Sequence, residues 1–217
     1  MLIDLLSLQT RLSALTRFSM ERPTERESVL EHTGFVALTC LVLVSGINRI
    51  EVDDPIDVGD LLTRALIHDL EEVVTGDVAR PTKYFCEEAV ELFDRLSSLA
   101  LDKVADKMKA FPAFAEVVLA YGPVTKAGRP GTIVAIADVL AVVYMVWREV
   151  LIRGNVSMVR QAFTVENQLD ALSVRVADHF DGRACHYLMV LLREAKEIML
   201  KAQLKDQPIH GMMREDQ

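Results

Sequence analysis

Residues 61–72 read LLTRALIHDLEE, an apolar helical repeat that ends in His68 and Asp69. The apolar positions follow the spacing of one helix face, namely Leu61, Leu62, Ala65 and Leu66. Two polar side chains at the end of a buried helix need partners, and one cation could serve both of them. The stretch therefore predicts a buried helix that ends in a polar site.

The composition of the 217-residue chain is typical of packed helices. Hydrophobic residues make up 51% of it and aromatic residues only 6%, so the interior must consist mainly of aliphatic side chains. We therefore expect an all-α fold, built as a single compact domain of about seven or more helices. The domain is expected over residues 1–205, with a polar tail over residues 206–217.

Helical spacing, capping signals and turn residues divide the chain into elements. The segment 28–31 reads SVLE, which has the spacing of a capping box, and Gly154 is placed to end a nearly all-apolar central helix. Three glycines and two prolines in residues 121–131 predict a connection or a mobile lid. Helices are predicted over residues 4–17, 28–46, 61–69, 82–108, 132–153, 156–180 and 183–201.

The net charge and the cysteines limit the function classes. A formal charge of −8 argues against binding of duplex nucleic acid through a broad basic surface, although a local cation could hold a small anionic ligand. Cys40, Cys86 and Cys185 lie far apart and form no CxxC pair, which indicates neither a disulfide framework nor a zinc knuckle and favours a reducing cytoplasm.

The sequence also favours a soluble protein that is not exported. The N-terminus lacks the pattern of a signal peptide. The longest apolar stretch, residues 133–147, contains Asp138 and is too short to span a bilayer. We therefore expect a cytoplasmic protein without a membrane partner.

Five ionisable residues lie where a helix would normally carry an apolar side chain: His32, His68, Asp69, Glu72 and Asp138. Mixed imidazole and carboxylate ligands suit transition metals better than Ca²⁺, and two histidines with two aspartates leave octahedral positions open for water and substrate. A cation held in this way makes water a nucleophile near neutral pH, which indicates a hydrolase. Glu72 would share the face of the metal ligands on a continuing helix and could orient or deprotonate that water.

Each of these residues also has a structural interpretation. His32 could be a hydrogen-bonded core histidine. Asp138 could form a salt bridge with Arg148 or with an arginine of another helix. Glu72 could be a solvated acid near a helix end.

Four short segments carry a resemblance to a known family. They are RF at residues 17–18, SVLEH at 28–32, HDLEEVVTGD at 68–77 and PTKYF at 81–85. In order and spacing they resemble the YfbR-like 5′-deoxynucleotidases of the HD superfamily, over roughly residues 5–150.

The resemblance implies a homodimeric all-α enzyme that hydrolyses deoxyribonucleoside 5′-monophosphates to deoxynucleoside and phosphate. It implies one divalent cation, which could be Co²⁺, Mn²⁺, Mg²⁺, Fe²⁺, Ni²⁺ or Zn²⁺. The cation's ligands would be His32, His68, Asp69 and Asp138.

The resemblance also gives roles to the residues around the cation. Glu72 would activate water or protonate the leaving group, and Asp77 would lie near the sugar and the attacked phosphate. Arg17 matches the family's phosphate-binding arginine, as expected for a guanidinium, and Lys83 could add a second positive charge. Phe18 stands where the family commonly has tryptophan against the sugar, which puts selection of deoxyribose over ribose in question.

Two alternatives stay open from the sequence. A small HD-type deoxynucleoside triphosphate triphosphohydrolase would share the metal site and need extra positive charge, for which Arg22, Arg26, Lys83 and Lys126 are available. A catalytically inactive nucleotide-binding protein would keep the fold alone. In the C-terminal third, we interpret the histidines as structural or surface residues, namely His179, His186 and His210.

Overall fold

The computed structural model describes residues 2–206, which form ten α-helices and no β-strand. The prediction of an all-α fold with seven or more helices is confirmed. The helices are α1 (Leu2–Ala14), α2 (Val29–Ile50), α3 (Val58–Ile67), α4 (Glu72–Thr75), α5 (Arg80–Lys83), α6 (Glu87–Lys107), α7 (Pro112–Tyr121), α8 (Gly128–Val146), α9 (Val159–His179) and α10 (Gly182–Gln203).

The chain leaves α1 three residues earlier than the sequence predicts. Thr16 forms an antiparallel bridge with Ser28, and the backbone N–H of Arg17 donates to the carbonyl of Glu27 at 2.9 Å. These bonds replace the last helical turn, so residues 15–18 run beside the start of α2. Arg17 and Phe18 are thereby placed next to α2.

The start of α2 is confirmed, whereas its end lies four residues beyond the predicted one. The Ser28 side chain accepts from the N–H of Glu31, and the Glu31 carboxylate accepts from the N–H of Ser28. The helix continues past Gly46, where a Cβ would lie 3.1 Å from the Tyr187 hydroxyl of α10. The glycine therefore allows two helices to approach closely.

The apolar side chains form two buried clusters. The larger one joins α2, α3, α8, α9 and α10, and the smaller one joins α1, α6 and α7 with the turn after α3. Ala65 belongs to the larger cluster, while Ile67 and Leu70 belong to the smaller one. His68 and Asp69 therefore lie at the seam between the two clusters.

The middle of the chain differs most from the prediction. The expected helix over residues 82–108 is broken by a turn at residues 84–86, and α7 was not predicted. Residues 121–131 do connect two helices, but the segment is mostly helical, with a 3₁₀ turn at Gly122–Val124. Arg64 donates to the carbonyls of Val124 and Ala127, which fixes this connection against α3.

The central helix α8 continues as a π-helix over Trp147–Ile152. Gly154 follows with φ of 72°, in the left-handed region where a predicted terminating glycine belongs. Helix α9 then returns antiparallel to α8, since His179 near its end contacts the Thr132 hydroxyl near the start of α8. The predicted helices over residues 156–180 and 183–201 correspond to α9 and α10.

The division at residue 205 stays a prediction, because residues 207–217 lie outside the described part of the chain. His210 lies there too. His179 is partly buried with its Nδ1 2.7 Å from the Thr132 hydroxyl, and His186 is exposed, as expected for structural and surface histidines.

Candidate metal centre and catalytic cavity

Four predicted ligands meet where α2, α8 and the end of α3 come together. The Nε2 atoms of His32 and His68 are 3.2 Å apart, and Asp69 Oδ2 lies 3.4 Å from the first and 3.1 Å from the second. Asp138 Oδ1 lies 3.2 Å from His32 Nε2. Two ligand atoms bound to one cation at right angles would be about 3.0 Å apart, given bonds of about 2.1 Å. The spacing therefore fits a shared cation.

The local fold orients the His68 ring. Its Nδ1 lies 2.8 Å from the carbonyl oxygen of Ala65, one turn earlier, and must donate to it. This bond holds a proton on Nδ1 and turns Nε2 toward His32 and Asp69. Such a second hydrogen bond is the usual device that orients a metal-binding histidine.

Asp69 is held in the anionic form needed in a ligand. Burial alone would raise its pKa, but the neighbouring His68 and His32 outweigh burial and hold the pKa well below its usual range. The ligand atoms of His32, His68 and Asp69 all lie within 4.8 Å of one another. These three residues are the core of the candidate metal centre.

Asp138 joins this group through His32 and also carries a cation of its own. Lys126 Nζ donates to its Oδ2 at 2.6 Å, which leaves Oδ1 toward His32. Burial would raise the pKa of Asp138, but Lys126 and His32 outweigh burial and lower it well below the usual range. The expected salt-bridge partner was an arginine, whereas Arg148 contacts Glu25 at 3.3 Å instead.

Lys126 reaches Asp138 because the connection before α8 packs tightly. A Cβ on Gly131 would lie 2.2 Å from the Lys126 carbonyl carbon, so only glycine permits this approach. The sequence offered Lys126 merely as one of several cations for a longer phosphate chain. Its pairing with Asp138 makes it part of the metal centre's surroundings.

Glu72 lies beside the ligands, although the helix between them is interrupted. Helix α3 ends at Ile67, and Glu72 starts the separate short helix α4. Its Oε2 atom is buried and has no hydrogen-bond partner within the described part of the chain. Burial and the carboxylates of Asp69 and Asp77 raise the pKa of Glu72 to about 9, and the smaller effect of Arg17 in the opposite direction does not cancel this rise. Glu72 is therefore a partly buried carboxyl beside the ligands, which disagrees with the interpretation as a solvated acid.

An open cavity of about 280 Å³ adjoins the metal centre and is lined by the predicted substrate residues. Asp69, Glu72 and Asp138 are among its lining residues. The other predicted residues in its lining are Arg17, Phe18, Asp77 and Lys83, whereas Arg22 and Arg26 are not among them. The cavity lies at the lower end of the size range of small-molecule sites.

Arg17 and Phe18 occupy an unusual stretch of backbone. Phe18 has φ of 59°, in the left-handed region that non-glycine residues rarely adopt. Its N–H donates to Asp77, and its carbonyl accepts from Glu21 at 3.0 Å. Arg17 contacts His32 Nδ1 and has its guanidinium carbon 5.3 Å from the Phe18 ring centre. The pair is therefore held against both the ligands and the cavity.

Glu149 is a fully buried carboxylate that sequence reasoning missed. Its oxygens accept from the backbone N–H of Thr24 at 2.6 Å, from Asn155 at 2.8 Å and from Arg153 at 2.6 Å. These bonds fasten the loop after Phe18 to the π-helix. The sequence carries no signal for this contact, because Thr24 lies 125 residues away and contributes only a backbone group.

A family model described as 5′-deoxynucleotidase YfbR-like matches residues 4–187, most of the chain. The chain belongs to this family. A YfbR-like relative from Escherichia coli, 5′-deoxynucleotidase YfbR, is 27% identical over 175 residues, which cover 79% of this chain and 84% of the relative. A 5′-deoxynucleotidase from Enterobacter is 29% identical over 97 residues, 45% of this chain and 48% of its own, so that match spans about half of the relative.

Solved structures show that the YfbR-like chain has the HD-domain fold. An HD-domain phosphohydrolase from Listeria innocua superposes with a TM-score of 0.67 at 22% identity, covering 93% of this chain and 90% of that one. The HD phosphohydrolase DatZ of cyanophage S-2L, bound to dA and one catalytic Zn²⁺ ion, gives a TM-score of 0.55 at 16% identity, covering 89% and 95%.

Proposed function

We propose that this chain is a metal-dependent phosphohydrolase that removes the 5′-phosphate from deoxyribonucleoside 5′-monophosphates. One observation carries the proposal: convergent histidine and aspartate side chains lie beside Glu72, whose buried oxygen has no partner among residues 2–206, in a cavity that Arg17 also lines. Membership of the YfbR-like family and the 5′-deoxynucleotidases among its relatives support the same activity.

The residues fit a divalent cation. His32, His68 and Asp69 would hold it, and the Oδ1 of Asp138 would complete the set while its Oδ2 stays on Lys126. A bound cation supplies a Lewis acid for the phosphate and makes water a nucleophile near neutral pH. The site suits Co²⁺, Mn²⁺, Fe²⁺, Ni²⁺ or Zn²⁺ through its imidazoles, and Mg²⁺ less well.

Glu72 would carry the proton of the reaction. Burial and the neighbouring carboxylates raise its pKa to about 9, and the positive charge of a cation would lower that value. A carboxyl with a pKa adjustable around neutrality can accept a proton from water and return it to the leaving 5′-oxygen. Its unpartnered oxygen is free for either transfer.

Arg17 and Lys83 would bind the phosphate, because both line the cavity and a guanidinium binds phosphate with two parallel hydrogen bonds. Phe18 would pack against the sugar, and Asp77 would bind near the sugar and the phosphate. Arg80 and Arg160 also line the cavity, so hydrolysis of a triphosphate stays the alternative that the product assay tests. Lys126 is engaged by Asp138, and neither Arg22 nor Arg26 lines the cavity.

The test is an assay of product and cation dependence. The purified chain is stripped with a chelator, reloaded with each divalent cation, and given the four deoxynucleoside monophosphates, AMP and dATP. We expect inorganic phosphate from the deoxynucleotides and none without a cation. Full activity after chelation would contradict the metal mechanism, and tripolyphosphate from dATP would indicate the alternative reaction. A chain that takes up no cation would be the inactive nucleotide-binding form.

We also propose that the chain is a cytoplasmic homodimer. The exposed face of α2 carries Leu38, Leu41 and Val42, which are 63%, 41% and 60% exposed, and such a face is costly in water. Two stretches, Val29–Ile50 and Gly128–Ile152, are long and apolar enough to cross a membrane. Core helices pass the same test, and these two carry His32 and Asp138 of the polar centre.

A further inference from the structure

Helix α9 contributes a polar face to the catalytic cavity that hydrolysis itself does not use. Arg160, Gln161, Thr164 and Gln168 all line the cavity, with Val142 of α8 nearby. Positions 160, 164 and 168 recur every four residues, so they share one face of the helix. On the opposite face α9 packs into the core.

The row runs outward from the metal centre. Helices α8 and α9 are antiparallel, as the contact between Thr132 and His179 shows, so lower numbers on α9 lie farther along α8. Val142 is one turn, about 6 Å, beyond Asp138. Gln168 is therefore the member nearest the metal centre, and Arg160 lies about 12 Å farther along the helix axis. The row therefore extends away from the metal centre, beside which the phosphate would bind.

Three members of the row, Gln161, Thr164 and Gln168, are uncharged, and the cation Arg160 lies at its outer end. Gln168 and Thr164 are partly buried, and neither side chain forms a hydrogen bond within the described part of the chain. Gln161 donates to Glu21 at 2.5 Å. Amides and hydroxyls both donate and accept, whereas additional phosphates would call for cationic partners. A nucleobase edge presents donors and acceptors side by side, and glutamine can pair with two of them.

We propose that Gln168 and Thr164 of α9 form a base-recognition subsite that contacts the hydrogen-bonding edge of the substrate's nucleobase. This inference rests on the proposed function for the phosphate end of the cavity. It adds that the enzyme distinguishes bases. The proposed function assigns the phosphate to Arg17 and Lys83 and the sugar to Phe18 and Asp77. The side chains of α9 are therefore left to contact the base.

The test compares substrates with and without a base. Gln168→Leu and Thr164→Val are assayed with the four deoxynucleoside monophosphates and with 2-deoxyribose 5-phosphate. We expect kcat/KM for the preferred base to fall about three- to tenfold, the worth of one hydrogen bond, so that the bases become more alike. Activity on 2-deoxyribose 5-phosphate should stay the same. Asn167→Leu makes a similar amide-to-leucine change at an exposed neighbour outside the cavity and should change no ratio.

Two outcomes would overturn the subsite. An equal loss on the baseless substrate would mean that α9 only supports the cavity, and unchanged base ratios in both variants would mean that the base lies elsewhere. Calorimetric titration with the free deoxynucleosides separates this inference from the proposed function. Even if the chain hydrolyses none of the substrates, weaker binding of deoxynucleosides to Gln168→Leu than to the wild type would support the subsite, provided that Asn167→Leu binds them as the wild type does. Equal binding by Gln168→Leu and the wild type would contradict it.

Discussion

Glu72 is the residue at which proton transfer and metal binding can be separated. Its buried oxygen touches no hydrogen-bond partner, so its removal should leave the ligands in place. We expect Glu72→Ala to keep the cation and to lose activity by a factor on the order of 10² to 10⁴. Asp69→Asn should instead lose cation and activity together, because it changes a ligand.

Metal analysis and phosphate release, measured on the same samples, distinguish the two variants. Glu71→Ala is the matched control, since this neighbouring carboxylate does not line the cavity. Loss of the cation from Glu72→Ala would show that Glu72 is itself a ligand.

Phe18 tests how the sugar is selected. If an aromatic face crowds a 2′-hydroxyl, the larger indole of Phe18→Trp should exclude ribose better. We expect the ratio of kcat/KM for dAMP over AMP to rise about fivefold, which corresponds to about 1 kcal/mol. The same ratio in Phe163→Trp, an exposed phenylalanine of α9, should not move. An unchanged ratio in both proteins would assign selection to Asp77 or to another part of the cavity.

At the scale of single residues, the sequence predicted the polar centre where ionisable side chains interrupt or end a local apolar repeat. His68 and Asp69 end an apolar repeat, and Glu72 follows at short range, so a polar centre could be predicted from spacing alone. Lys126 could not be found in this way. Its contact with Asp138 depends on Gly131 admitting the Lys126 backbone, and that packing has no sequence period.

At the scale of elements, Glu149 connects the π-helix to the loop that follows Phe18. Burial would raise its pKa, but hydrogen bonds from Asn155, Thr24 and Arg153 lower it from 4.5 to about 2. A carboxylate with a lowered pKa contributes stability that is present above about pH 4.5 and is lost as the pH falls toward 2. Glu149→Gln should therefore lower the free energy of unfolding by on the order of 3 kcal/mol at pH 7 and by progressively less below pH 4.5.

Denaturant unfolding of both proteins between pH 7 and pH 3 measures that difference. Glu25→Gln is the matched control, because Glu25 shares Arg153 but is 55% exposed and should cost little. If the loss of unfolding free energy in Glu149→Gln does not change with pH, then packing, and not the charge of Glu149, holds the loop after Phe18 in place.

Element boundaries show where sequence reasoning loses its basis. The capping box at Ser28 is local and fixed the start of α2. The end of α1 depends instead on a bridge from Thr16 to Ser28, and Gly46 allows Tyr187 to lie close to α2 and does not mark the end of the helix. Both outcomes depend on partners distant in sequence, which periodicity does not describe.

At the scale of the whole molecule, the exposed apolar face of α2 is the proposed dimer interface. Introducing charge at the centre of an apolar interface should dissociate it, since the buried charge would have no partner. We expect Leu38→Glu to shift the chain from dimer to monomer in light scattering. Leu204→Glu is the control, because this leucine is 62% exposed on the turn after α10. A wild-type monomer would contradict the dimer.

The seam between the two clusters affects which part of the chain opens first on heating. The turn that carries Asp69 and Glu72 is anchored through Leu70 and Val73 in the smaller cluster, whereas α8 with Asp138 is anchored in the larger one. A small core opens more readily than a large one, and local opening can precede global unfolding. Warming would then free the carboxylates of the turn while most helices stay intact, so thermal inactivation would come before melting and would reverse on cooling.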